Sequence, residues 1–205
     1  MDGEPFVEAP GERRARGWPG GRWTFLSGLL FAVTLAAIAM ALRSPHQHRH
    51  PPLPRALPDE VLGEIVRRHS RTFGLDEILV LRVIFVESGG DPRARSRDGA
   101  VGLMQLLPRT AAARAEELGL KGHSLEDPDD NVMLGCYHLS RMLVAFNGDP
   151  HLAVAAYHAG APTVRKWRRN SPRGAVGADI LRNHGYPSTR KHVSEVLKGY
   201  VPRPE

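Results

Sequence analysis

Between Pro58 and Tyr200, apolar residues recur every three or four positions in blocks parted by Gly, Pro, Asp and Asn, a pattern that predicts a mainly α-helical chain. The first block, Asp59 to Phe73, carries Val61, Leu62, Ile65, Val66 and Phe73 and stops at Gly74. The second starts behind Asp76, a residue type that caps helix N-termini, and ends at Gly89-Gly90. It is apolar on nearly every side, so it is expected inside the domain with the other elements packed around it. A Gly- and Arg-rich loop from Ser88 to Gly102 follows, with at most a small hairpin between Gly99 and Leu106. Pro108 opens a helix that closes near Gly119, and Asp127-Pro128 opens a long one through Phe146. Two short helices occupy Pro150 to Ala159 and Pro162 to Arg169. A loop rich in Gly, Pro and Asn leads to the last helix, from about Ser188 to Tyr200.

The N-terminal part follows other rules. Residues 1–23 are rich in Gly, Pro, Arg and Glu, have no period and read as a disordered tail. Thr24 to Leu42 carries no charge, and at about 1.5 Å per residue it nearly matches a hydrocarbon layer of roughly 30 Å. Trp18 and Trp23 stand where an interfacial belt forms. The segment is expected to be an uncleaved transmembrane anchor rather than a secretory signal, because its apolar run exceeds the usual length of about 7–15 residues. Ala39-Met40-Ala41 resembles a cleavage site and supports the alternative, secretion after signal cleavage. Arg13, Arg14, Arg16 and Arg22 precede the span, against Arg43, Arg49 and Arg55 after it, which puts the N-terminus in the cytoplasm and the rest outside. Residues 43–57 form a stiff Pro- and His-rich linker. His46, His48 and His50 alternate there without Cys or carboxylate partners, so they read as spacer and no metal site is assigned.

A net charge of +6 invites a polyanionic partner. The cations gather near the apolar span and again at Arg165, Lys166, Arg168, Arg169, Arg173, Arg182, Arg190 and Lys191. No basic, aromatic-rich recognition element accompanies them, so a solvated face or attraction to an anionic cell surface is expected, and no nucleic acid. The single cysteine, Cys136, lies in an apolar helical pattern and reads as a small buried hydrophobe.

The chemistry concentrates at the end of the second helix. Glu87 shares a helix face with Val80, Val83 and Ile84, which places its carboxyl at the dry end of an apolar rod. Burial disfavours the ionised form, and a carboxylic acid that stays protonated near neutral pH suits a general acid. The competing reading is a helix-end carboxylate that simply reaches water.

Val86-Glu87-Ser88-Gly89-Gly90, Ser96, the run from Gly99 to Ala111, Asp127-Pro128 with Asn131 and Gly135, and Ala155 to Gly160 follow in order. Together they resemble the soluble lytic transglycosylase family, whose catalytic domain is like goose-type lysozyme. The resemblance implies a lysozyme-like helical domain over 58–205 that cleaves the β-1,4 bond between N-acetylmuramic acid and N-acetylglucosamine in peptidoglycan, without a cofactor. It implies that Glu87 protonates the glycosidic oxygen and then, as carboxylate, takes the proton of the muramoyl 6-hydroxyl, which closes a 1,6-anhydro ring. Ser96, Gly102, Met104, Gln105, Tyr157, His158 and His192 are the expected substrate-binding residues. Gly102 would let backbone approach a sugar, Met104 offer an apolar face and Gln105 a donor and an acceptor. Plain core packing is the competing role of Met104 and Tyr157, and turn capping that of Ser96.

Two positions depart from the family. His158 stands where Asn is usual, and in the last helix Ser188 and His192 replace the usual Glu and Tyr. Two imidazoles beside one carboxyl are expected, when charged, to lower the pKa of Glu87 and steepen the fall of rate toward acid. The alternatives are a lysozyme-like hydrolase, for which Asp91 and Asp98 are the nearby second acids, and a cell-wall-binding or assembly protein with little activity. The expected partners are peptidoglycan strands, the membrane through the N-terminal helix, and a cell-envelope assembly partner.

Overall fold

A computed structural model describes residues 57–201, and the anchor, tail and histidine tract of the N-terminal part lie outside the described residues. The described part is mainly α: α1 (Asp59–Thr72), α2 (Glu77–Ser88), α3 (Pro108–Glu117), α4 (Pro128–Ala145), α5 (Pro150–Ala159), α6 (Ala161–Arg169), α7 (Gly177–His184) and α8 (Pro187–Leu197). Within it no helix is long and apolar enough to cross a membrane.

Local chemistry sets most boundaries. The Asp76 side chain accepts from the backbone amides of Ile78 and Leu79, and Asp127 and Asp149 do the same for α4 and α5. Gly89 closes α2 with a left-handed φ of 64°. Asp149 serves two helices, since one carboxylate oxygen caps α5 while the other accepts from Gly177 N at 3.0 Å. A Cβ on Gly177 would sit 2.7 Å from that carboxylate carbon, so only glycine fits. This contact anchors the start of α7, a helix lying where the sequence pattern predicts only loop.

The centre of the packing differs from expectation. α5 is the element against which α4, α6, α7 and α8 all pack. Leu152, Ala153, Val154, Ala155 and Ala156 are buried in succession, and the small alanines let neighbouring helices approach on every side. α2 instead packs between α1 and α8 and leaves Ile78 and Phe85 exposed, so it is not enclosed all round. Its inner face, Leu79, Val80, Val83 and Ile84, is fully buried. Arg82 fastens α2 to α8 by donating to the backbone carbonyls of Glu195, Val196 and Lys198, which would otherwise end α8 unsatisfied. α8 stops at Leu197, short of the predicted Tyr200, and Gly199 follows with φ 68°.

Candidate active site

Glu87 sits in the last turn of α2, and the backbone turns sharply just beyond it at Gly89 and Gly90, both with positive φ. Its side chain is only 16% exposed. Burial pushes its carboxyl from 4.5 to about 7. The neighbour facing it is His192 of α8, whose Nε2 stands 3.5 Å from Oε1, too far for a good hydrogen bond. That Nε2 is buried and has no closer partner.

Both histidines are held neutral. Burial lowers His192 to about 4, helped by the nearby His158. His158, at the end of α5, is more open to solvent and is lowered by the partial burial of its ring. The two rings lie 4.6 Å apart, and His158 Nδ1 is 3.2 Å from the Thr189 hydroxyl. The expected charge on these imidazoles is therefore absent at neutral pH, and with it the expected lowering of Glu87. Desolvation overrides the charge effect, because each ring would be ionised only at a cost.

Tyr157 also feels the Glu87 charge and is kept protonated well above its ordinary range, chiefly by burial. Its hydroxyl donates to the carbonyl of Met104 at 2.7 Å, which joins α5 to the loop before α3. The ring of His138 from α4 packs on it at 5.1 Å. Burial also holds His138 neutral, down to about 4.

The loop from Arg95 to Leu106 is held by short bridges, Arg95 with Val101 and Val101 with Leu106, rather than by a full hairpin. Asn131 pins it to α4. This side chain is fully buried, donates to the carbonyls of Val101 and Leu125 at 2.9 Å and accepts from Met104 N at 2.9 Å. A Cβ on Gly102 would lie 2.7 Å from both Asn131 Cγ and Leu125 O. The glycine thus makes room for Asn131, and the expectation that Gly102 admits a sugar is corrected on this ground. Met104 is corrected too: its side chain is fully buried and fills the notch left by Gly135, where a Cβ would meet it at 2.8 Å. It packs as core and presents no apolar face to a ligand.

Gln105 adopts a positive φ of 45°, and its amide nitrogen donates to the carbonyls of Ala94 and Gly102 at 3.0 and 2.9 Å. Both amide hydrogens are thereby engaged, leaving Oε1 as an acceptor. Ser96 is exposed, and its oxygen accepts from Ala100 N at 3.0 Å; this is the turn-capping role, with its own hydrogen still free to donate. Cys136 is fully buried, its thiol pushed up to about 12, as a small hydrophobe would be. The structure brings Glu87, Tyr157, His158 and His192 together from three helices and ties Gln105 to them through its neighbour Met104. The sequence pattern assigns no role to Asn131, Thr189 or His138. Only the spacing of Asn131 and Gly135, one helical turn apart and facing the same loop, carries a signal.

The family model described as the transglycosylase SLT domain matches residues 64–178, more than half of the chain. The chain is 28% identical over 139 residues to the soluble lytic murein transglycosylase of Escherichia coli, a match covering 66% of this chain and 22% of that protein. To the endo-type membrane-bound lytic murein transglycosylase A of Klebsiella pneumoniae it is 30% identical over 199 residues, covering 83% of this chain and 97% of that one. In structure it resembles lytic transglycosylase Slt of Pseudomonas aeruginosa, solved as an inactive Glu→Gln mutant, with 28% identity and a TM-score of 0.61. That match covers 84% of this chain and 27% of Slt, so the chain spans about a quarter of these soluble relatives. The matched stretch contains Glu87, the loop pinned by Asn131, and the end of α5 with Tyr157 and His158, and by it the chain belongs to the transglycosylase SLT domain family.

Proposed function

We propose that the chain is a peptidoglycan lytic transglycosylase that cuts the bond between N-acetylmuramic acid and N-acetylglucosamine without consuming water. The observation that carries this reading is Glu87, whose carboxyl is pushed to about 7 by burial alone and has no cationic side chain paired with it among the described residues. As acid it gives its proton to the glycosidic oxygen; as carboxylate it then takes the proton of the muramoyl 6-hydroxyl, which attacks the anomeric carbon and closes the 1,6-anhydro ring. A pKa near the working pH serves both halves, because neither protonation state is far out of reach. Tyr157 is a phenol fixed to the Met104 carbonyl, and it buttresses the wall beside the acid. Neutral His158 and His192, the free Oε1 of Gln105 and the hydroxyl of Ser96 supply uncharged donors and acceptors suited to sugar hydroxyls and acetamido groups.

A hydrolase working by inversion needs a second carboxylate across the sugar. Asp91 accepts from Arg93 N in its own turn, and Asp98 is exposed at the loop tip. With Asp91 engaged in its own turn and Asp98 facing solvent, the non-hydrolytic route is favoured. The uncharged segment 24–42 supplies an inner-membrane anchor that holds the domain on the outer side, facing the wall. The test is to digest purified peptidoglycan with the chain and weigh the products. Muropeptides lighter by one water are expected; products with a free reducing end, or no release, would contradict the proposal.

A further inference from the structure

The far end of α6 carries charge of a kind the active site lacks. Val164 and Trp167 bury one face of this helix, and Arg165, Lys166, Arg168 and Arg169 occupy the exposed one. With Arg173 from the following turn, Arg165, Arg168 and Arg169 ring a cavity of about 540 Å³ floored by Ala175 and Ile180. No acidic residue occurs between Asp149 and Asp179. The two acids at those limits are occupied, Asp149 by the amides of His151, Leu152 and Gly177, and Asp179 by Arg182 at 3.1 Å.

Helix capping does not account for the arginines either. The last carbonyls of α6 are taken by the backbone amides of Asn170 and Ser171 and by the Ser171 hydroxyl. Among the described residues none of the four guanidinium groups has an ion pair or a side-chain hydrogen bond. Four like charges around one concavity repel one another, and a bound oxyanion would relieve that repulsion. Guanidinium groups present paired donors that match carboxylates in a bidentate fashion.

We infer that this cavity is a subsite for the carboxylates of the peptide that hangs from the glycan strand, an inference that rests on the peptidoglycan reading above. The distances agree. α6 begins three residues beyond His158, and its nine residues span about 13 Å at 1.5 Å each. An extended tetrapeptide at roughly 3.3–3.6 Å per residue covers the same length, so a peptide on a sugar held near His158 reaches the arginines. A concave site with discrete guanidinium groups suits the separate carboxylates of a peptide better than the flat surface of a bilayer.

Direct binding tests this without turnover. A free tetrapeptide with its carboxylates intact, and the same peptide amidated, would be titrated into the full chain and into the double variant Arg168→Gln/Arg173→Gln. The acidic peptide is expected to bind the parent about tenfold more tightly than the amidated one, a preference that the variant loses and added salt weakens. On glycan strands the variant should raise KM about tenfold with kcat unchanged, and on strands stripped of peptide it should match the parent. Equal binding of the two peptides, or a variant that still discriminates, would overturn the inference, as would loss of binding only to vesicles of anionic lipid. A chain that binds the acidic peptide but releases no anhydro product would leave the subsite standing and remove the catalytic reading alone.

Discussion

The tip of α2 and the tip of α6 solve opposite problems. At the first, Glu87, His192 and Tyr157 are withdrawn from water, and each is driven toward its neutral form. At the second, four arginines stand exposed to solvent around an open cavity. Desolvation thus selects protonation state where a proton must move, and solvation preserves charge where an anion must be drawn in. The two ends are joined through successive helices, α5 and α6, which share Gly160 as the C-cap of one and the N-cap of the other.

The harshest way to break the dry end is to remove its proton. Glu87→Gln keeps the volume and loses the acid, so kcat should fall by about a thousandfold, within the range of general acid–base catalysis, while strand binding is retained. An active variant would show that another group moves the proton.

The next largest effect should come from the support beneath the site. Asn131→Ala leaves the carbonyl of Leu125 and the amide of Met104 without partners and takes one of the two hydrogen bonds of the Val101 carbonyl, whose other donor is Leu106 N, which costs roughly 2–3 kcal/mol. Chemical denaturation would read the loss. Because Met104 in turn holds Tyr157, activity should decline in the folded fraction as well.

That support is the part of the site the sequence hides. Asp76 and Gly89 mark the ends of α2, and the helical period places Glu87 over Val80, Val83 and Ile84, so the acid is legible from local spacing. The roles of Gly102 and Met104 are not. A glycine with positive φ looks the same along the chain whether it admits a sugar or, as here, the amide of a residue 29 positions later. α7 escapes the pattern because its buried pair, Ile180 and Leu181, is too short a signal, and its anchor at Asp149 lies 28 residues away. The hub role of α5 is hidden because alanines give little hydrophobic signal although they permit close packing on all sides. His158 and His192 do stand beside the acid, but their neutrality follows from burial, which a sequence does not display.

A smaller effect sharpens the electrostatic side of the comparison. Between pH 4.5 and about 7 the folded chain holds a proton on Glu87 that the unfolded chain has released. The group therefore favours folding below that window and loses this contribution as pH rises through it. Relative to the parent, Glu87→Gln should gain stability steadily from pH 4 to pH 8, by up to about 3 kcal/mol at the alkaline end. Stability curves of the two proteins that run parallel with pH would mean that the carboxyl is solvated.

The central claim is that burial, unaided by a second charge, keeps one carboxyl protonated up to neutrality. The direct measurement is a pH titration of the Glu87 side-chain carbon by NMR in the folded protein, assigned through its absence in Glu87→Gln. A midpoint near 7 is expected, well separated from the exposed glutamates; a midpoint near 4.5 would contradict the account.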